Sequence, residues 1–335
     1  MSPVGPINQQ PDSDEHIAIG DRRHGLGTGL VSGMAPVAVL VTLALAISAF
    51  APSFLSAYSL RVLAEESSVI LLLAIGQTIV IIVGGIDLSM AALASLASVI
   101  IALLLPELGA GAVLGALCIA TLIGALQGFV HVQAKIPSFI VTLAGLGMWS
   151  GIALSIANTT VPVAEHFEAV GWLDAQTWGV PHAFAFGMLT LGLFQIALVR
   201  LRLGRYLYAI GMAERVALLS GIRVWRIKTF AFAASGFCSG LAGLAMVART
   251  SSGSPTIADS LLLPSIAAVL VGGTAITGGH GNLARTLLGV CIVAVMRVGV
   301  AVSGIAPAYE PIAYGALVVI AVAMTVDRRS IGIVK

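Results

Sequence analysis

Charge is scarce in this chain: 17 Lys and Arg and 15 Asp and Glu make up 10% of 335 residues, and mean hydropathy is +1.04. A soluble globular domain carries roughly 25% charged residues, which it needs to face water. The shortage excludes a soluble protein of this size. An excess of either sign is missing too, because the net charge is only +2 and no bulk basic surface points to nucleic acid. Cysteine is rare. Cys118, Cys238 and Cys291 all fall in apolar segments without C-x-x-C spacing, and read as small packing residues. The phosphate-cradling G-x-x-x-x-G-K-[ST] loop, the H-E-x-x-H metal helix and the G-x-S-x-G elbow are all absent. No catalytic residue, metal or cofactor is therefore expected in this chain. Residues 1–33 are polar without a cleavable signal pattern, and Arg22-Arg23 reads as a basic flank of the first helix rather than an export signal.

Apolar sequence in long runs is what the chain has in abundance. A bilayer core of about 30 Å takes roughly 17–25 apolar residues per spanning helix. Ten runs qualify, near 34–50, 68–84, 88–105, 109–131, 139–157, 183–200, 228–248, 261–277, 284–304 and 308–326. The fold class expected is all-α, a polytopic membrane bundle of about ten helices, with polar tails at 1–33 and 327–335. The second and third runs, split only by Gly84-Gly85, and the eighth, holding Pro264, are the ones expected to be broken or re-entrant. The 38 Gly suit close helix packing and a subunit interface. Short loops rich in Lys and Arg stay in the cytoplasm. Arg200, Arg202, Arg205, Arg215, Arg223, Arg226 and Lys228 crowd one loop, whereas 158–182 carries Glu165, Glu168 and Asp174 and no Lys or Arg. Ten spans with both termini inside then put Arg22, Arg23, Lys135, Arg285, Arg328, Arg329 and Lys335 inside and leave only Arg61 and Arg249 outside.

Ionisable residues within a bilayer are costly and informative. Glu65 and Glu66 sit at the outer edge of the second run, Asp87 in a Gly-rich break, and Arg297 is the single charge near mid-helix. With no line of buried acids, the energy source is expected outside this chain. The stretch 204–228 reads GRYLYAIGMAERVALLSGIRVWRIK, and a short helix from Ala209 to Leu219, stopped by Ser220-Gly221, is expected there. Such a helix is too polar to insert and too short to be stable alone, so it suits a partner's groove. The plainer reading is an amphipathic surface loop.

Within this stretch Gly204, Arg205, Ala209, Gly211, Ala217, Ser220, Gly221 and Ile222 match the coupling region of ribose/xylose/arabinose-type permeases of ABC importers. Three further stretches resemble the same family in order. They are GQTIVIIVGGIDLS (Gly76 to Ser89), IPSFIVTLAGLGMWSG (Ile136 to Gly151) and IAAVLVGGTAITGGHGNLARTLLG (Ile266 to Gly289). The second carries Pro137, Phe139, Ile140, Thr142 and Leu143 of a P-F-I-x-T-L segment, and together the resemblance covers about residues 36–328. Departures bear on the substrate and local contacts more than on the family: Ala213 and Gln127 stand for a usual Asn, Val216 for a frequent Ala, Leu262-Leu263-Pro264 for Glu-Leu, and Arg297 near a usual Asn. The resemblance implies a type II ABC importer permease in the bacterial inner membrane, acting as a homodimer. It also implies a periplasmic substrate-binding protein that delivers a monosaccharide, and a cytoplasmic ABC ATPase subunit docked on the coupling segment 204–228. Gly204, Arg205, Ala209, Gly211, Arg215, Ala217, Ser220, Gly221 and Ile222 are the residues expected at the ATPase contact.

For the translocation pathway the candidates are Gln77, Gly84, Gly85, Asp87, Ser89, Trp149, Asn158, Gly272, Gly273 and Arg297. The segment Gly84 to Ser89 reads either as a tight turn with Asp87 or Ser89 capping the third helix, or as exposed backbone along the path. Gly272-Gly273 and Gly278-Gly279 make a similar break in the second half. Gln77 and Asn158 offer amides to sugar hydroxyls, and Trp149 an aromatic face. Trp149 also reads as packing or an interfacial anchor, and Gln77 as an interhelical hydrogen-bonding group. Arg297 either pairs with a carbonyl or acid in the bundle or faces the pathway, where it would favour an acidic or phosphorylated ligand. Branched-chain amino-acid permeases share the architecture and stay open as an alternative. So do an ion-coupled carrier or channel and a non-transporting scaffold or sensor.

Overall fold

A computed structural model describes residues 25–304 and 306–325. Most of the two predicted tails, with Arg22, Arg23, Arg328, Arg329 and Lys335, lies outside the described residues. By internal contacts the chain divides into Met1–Ala35 and Pro36–Lys335. Thirteen helices follow in order among the described residues: α1 (Gly25–Phe50), α2 (Ala57–Ile82), α3 (Met90–Leu108), α4 (Ala110–Gln133), α5 (Ser138–Ile156), α6 (Glu168–Gly171), α7 (His182–Arg200), α8 (Arg202–Met212), α9 (Glu214–Leu219), α10 (Val224–Thr250), α11 (Leu262–Val271), α12 (Leu283–Val302) and α13 (Glu310–Thr325). Four two-residue strands make two small antiparallel pairs. Strand β1 (Val161–Pro162) pairs with β4 (Ser252–Gly253), and β2 (Gln176–Thr177) with β3 (Val180–Pro181).

Seven helices, α2 to α5, α7, α10 and α12, are long and apolar enough to cross a membrane. Three shorter apolar stretches, Pro36–Phe50, Asp259–Val271 and Glu310–Ala323, account for the remaining predicted runs. The boundaries depart from the predicted ones where charge or turns intervene. α1 starts at Gly25 rather than 34. α2 starts at Ala57 rather than 68, because the Ser56 side chain caps it by accepting the Ser59 N–H at 3.2 Å. Arg61 and Glu65, 3.7 Å apart, form an i,i+4 pair within the added turns. Glu65 and Glu66 therefore ride on the helix instead of bordering it. α11 stops at Val271 rather than 277. Its ten residues rise about 15 Å, half a bilayer core, and glycines take over at once.

α2 and α10 form the centre. Every residue of α2 from Ser67 to Ile82 is buried. α10 lies against α4 with backbones in contact: a Cβ at Gly124 would stand 2.2 Å from the Phe232 carbonyl oxygen, and one at Gly236 2.2 Å from that of Ala120. Small residues at four-residue spacing, Ala120, Gly124 and Gly128 on α4 and Gly236 and Gly240 on α10, make this approach possible. In contrast, α4, α5 and α7 turn Leu114, Leu122, Leu126, Leu143, Leu193 and Ile196 outward. Helices apolar on the outer face as well as the inner one belong in lipid.

Candidate functional site

At one end of the bundle three glycine-bearing segments meet under α8. The single helix expected from Ala209 to Leu219 is instead two, α8 and α9, broken at Ala213 with φ −160° and ψ 88°. Tertiary contacts on both sides impose the break. A Cβ at Gly211 would stand 1.9 Å from the Ile82 carbonyl oxygen and 2.4 Å from the Gly279 nitrogen, so the end of α8 is wedged against the end of α2. Gly279 N–H donates to the same Ile82 carbonyl at 2.9 Å. Beyond the break, Lys228 of α10 holds Glu214 of α9 at 2.7 Å. Tyr208 donates its hydroxyl to the Gly281 carbonyl at 2.8 Å, and burial pushes its phenol up, which keeps it a donor.

Gly84 and Gly278 close the junction. Both have positive φ, +81° and +86°, and a Cβ at Gly278 would stand 2.9 Å from Gly84 Cα. The structure thus brings Gly84 and Gly211, taken from two separate sets of candidates, together with Gly278 and Gly279. Gly85 packs on Val80 and Phe232, Gly272 on the Arg285 backbone, and Gly273 turns at φ +88°. Gly204 meets the Leu198 backbone where α7 turns into α8. Of the other coupling candidates, Arg205, Arg215, Ser220 and Gly221 are exposed, Ala209 and Ile222 are half-buried and Ala217 is buried. The outward face is apolar as well as basic: Met212, Val216, Leu218 and Leu219 are 61–88% exposed.

Deeper in, Asp87 organises the break between α2 and α3. Its Oδ1 accepts the Ser89 N–H at 2.9 Å and the Ser89 hydroxyl at 2.7 Å, and its Oδ2 accepts the Ser235 hydroxyl of α10 at 2.7 Å. Ser89 occupies the N-cap position of α3, yet its side chain does not cap that helix. Gln127 of α4 lies 2.9 Å from the Ser89 hydroxyl. The amide atom that stands there is Oε1, but a hydroxyl has one proton and Asp87 takes it, so turning the Gln127 amide over lets its otherwise unpartnered NH2 group donate to Ser89. Ser138 and Thr142 of α5 bind the Ile86 N–H and carbonyl at 3.0 and 3.1 Å. Gln77 is fully buried with no partner for either amide atom among the described residues. Trp149 packs with Leu93, Leu96 and Ala153, its indole N–H also without a partner there, and Asn158 is exposed beyond the end of α5. These three are not brought into one site.

The opposite end holds a cluster in which Arg297 is paired with acids, one of the two readings the sequence offered, although the sequence named none of the partners. Glu66 of α2 is paired with Arg249 of α10 and, at 3.2 Å, with Arg297 of α12. Arg297 lies 3.7 Å from Glu310 of α13, which accepts the Tyr314 hydroxyl at 3.1 Å. Arg297 is thus both paired with acids and open to space. It lines a cavity of about 190 Å³ with Tyr58 and Glu310, and another of about 280 Å³ with Arg249 and Ser260; Glu66 lines both. The lone charges Glu66 and Arg297, and Arg249 as a basic residue on the outer side, were the signal in the sequence; Glu310 and the convergence of four helices left none.

Ten apolar helical stretches, a partly polar two-helix strap at one end and a charged cavity at the other define a multi-pass membrane permease. More particularly, the chain belongs to the family described as branched-chain amino acid transport system / permease component, whose profile matches residues 59–322. It is 33% identical over 319 residues to the ribose import permease protein RbsC of Escherichia coli (strain K12), covering 93% of this chain and 98% of that protein. The ribose import permease protein of Bacillus subtilis (strain 168) is 32% identical, with 90% of this chain and 94% of that one covered. The fructose import permease protein FrcC of Rhizobium meliloti is also 32% identical, with 86% and 85% covered.

Proposed function

We propose that this chain is the membrane-spanning permease subunit of an ABC importer and carries a monosaccharide across the bacterial inner membrane. The observation that carries this reading is the similarity to ribose and fructose import permeases over nearly the whole length of each. The α8–α9 strap supports it. The strap offers Val216, Leu218 and Leu219 within a basic rim of Arg205, Arg215 and Arg223, which suits a cytoplasmic ABC ATPase subunit. Its other side is wedged into α2 and the loop after α11, so a push on α9 passes from Gly211 to Ile82 and Gly279. Gly204, Ala209, Ala217, Ser220, Gly221 and Ile222 serve that contact by holding the strap's shape, with Gly221 at φ +81° ending α9.

The strap end is cytoplasmic in this reading, since it gathers the basic loop, and both termini lie on that side. The charged cluster then faces the periplasm, where a substrate-binding protein delivers the sugar. Two copies form a homodimer with the pathway between them. ATP hydrolysis belongs to the partner subunit. The family's description favours a second reading, branched-chain amino-acid import. Uptake of labelled pentoses, hexoses, polyols and branched-chain amino acids by a deletion strain and its complemented parent separates the two. ATP-dependent loss of one sugar supports the proposal; loss of leucine or valine instead moves the protein to the second reading.

A further inference from the structure

Glu66, Arg249, Arg297 and Glu310 come from four different helices and converge at the end of the bundle away from the strap. A cluster that served packing alone would be closed. This one is flanked by cavities of about 190 and 280 Å³, and the Glu66–Arg297 pair borders both. Arg297 keeps 28% of its side chain exposed and Glu66 16%. A guanidinium has five N–H donors. Arg297 places one terminal nitrogen 3.2 Å from Glu66, and its contact with Glu310 at 3.7 Å is too long for a hydrogen bond. Most of its donors, with lone pairs of both carboxylates, are left for a guest.

The charge balance chooses the guest. Two guanidinium groups and two carboxylates cancel, so an anion meets Glu66 and Glu310 and a cation meets Arg249 and Arg297. A neutral molecule rich in hydroxyls uses both, donating to the carboxylates and accepting from the arginines, and unlike a zwitterion it brings no ionic group that must be stripped of water. The rest of the first cavity suits the other face of such a molecule, with Tyr58, Val62, Val298 and Ala301 presenting apolar surface. Pockets for drug-sized ligands run about 300–1,000 Å³, and these are smaller. We infer that Glu66, Arg249, Arg297 and Glu310 form a binding subsite for a neutral polyhydroxylated ligand of monosaccharide size, the first contact of the substrate with the permease. The sugar as cargo rests on the proposed import function; the subsite itself rests on the cluster and its cavities. Arg297 read alone favours an acidic ligand, and it is the two carboxylates that reverse this.

The test uses the purified full-length permease in nanodiscs without partners. Saturation-transfer NMR is recorded with D-ribose, D-fructose, D-ribose 5-phosphate and L-leucine. The variants are Arg297→Lys, which keeps the charge but loses the planar fork, and the double variant Arg297→Gln/Glu310→Gln, which removes one charge of each sign and strands none. At least one neutral sugar is expected to bind the wild type, and both variants to weaken it by about tenfold or more. Absence of sugar binding to the wild type, tighter binding of the phosphate or of leucine, or variants equal to the wild type would overturn the subsite. Uptake by the full complex separates the two claims. Unaltered sugar binding in both variants alongside ATP-driven sugar uptake removes the subsite and leaves the import function. Sugar binding through Arg297 in a complex that imports no sugar does the reverse.

Discussion

Asp87 shows how one side chain fixes a break between two spans. Its carboxylate takes three hydrogen bonds, from the Ser89 N–H, the Ser89 hydroxyl and the Ser235 hydroxyl, and so ties the start of α3 to the middle of the chain's most buried pair of helices. Asp87→Ala leaves the Ser89 N–H and the Ser235 hydroxyl buried without that acceptor, at about 1–3 kcal/mol each before relaxation, while the Ser89 hydroxyl keeps Gln127 beside it. A fall in the thermal midpoint of several degrees is expected, followed by the fluorescence of the four tryptophans, with Asp87→Asn milder because it keeps one acceptor. A drop no larger than that of an exposed substitution would remove this role. The sequence made the local half legible: an Asp and a Ser after two glycines announce a capped turn. Ser235, 148 residues away, is invisible in it because the contact depends on how α10 crosses α2. Of the two expected caps, Asp87 or Ser89, Ser89 makes none because its backbone is already helical, at φ −87° and ψ −9°, whereas Asp87 accepts the Ser89 N–H.

At the scale of elements, the strap is where sequence and structure differ most instructively. Ala213 is among the best helix formers, and the one weak point beside it, Gly211, costs a helix only about 1 kcal/mol. The break comes from outside, from the wedge of Gly211 against Ile82 and Gly279 and from the Lys228–Glu214 pair. Gly211→Val cannot fit without moving α8 off α2. In the complex with its ATPase, ATP hydrolysis is expected to continue while transport falls by an order of magnitude or more. Equal loss of both activities would mean that the strap is needed for assembly instead. Gly221→Val meets open space, so only its left-handed backbone resists, at about 1–2 kcal/mol. It is expected to loosen α9 at that cost, and to impair coupling less than Gly211→Val. Charge reversal at exposed Arg215 tests the outward face in the same assay: weakened ATPase association is the expected result, with insertion unchanged.

For the whole molecule, the ten apolar runs and the all-helical class were legible because hydropathy and length dictate them. α11 was readable as irregular because of Pro264 and the glycines after Val271. The order of packing was not, since Gly124 and Gly236 look like any other glycines until α4 and α10 touch. Gly236→Val pushes a side chain into the Ala120 carbonyl and is expected to abolish monodisperse protein from detergent extracts, while Gly147→Val, in open space on α5, leaves it intact. The charged cluster was half legible, as lone charges whose partners only the fold supplies. The central claim, an ATP-driven sugar permease with its strap on the cytoplasmic side, is tested most directly in proteoliposomes holding the permease with its ATPase and binding protein. ATP is supplied on one face at a time, with labelled ribose, fructose and leucine on the other. Accumulation of a sugar only when ATP is on the strap side is the expected result. Accumulation without ATP, with ATP on the cluster side, or of leucine alone would contradict it.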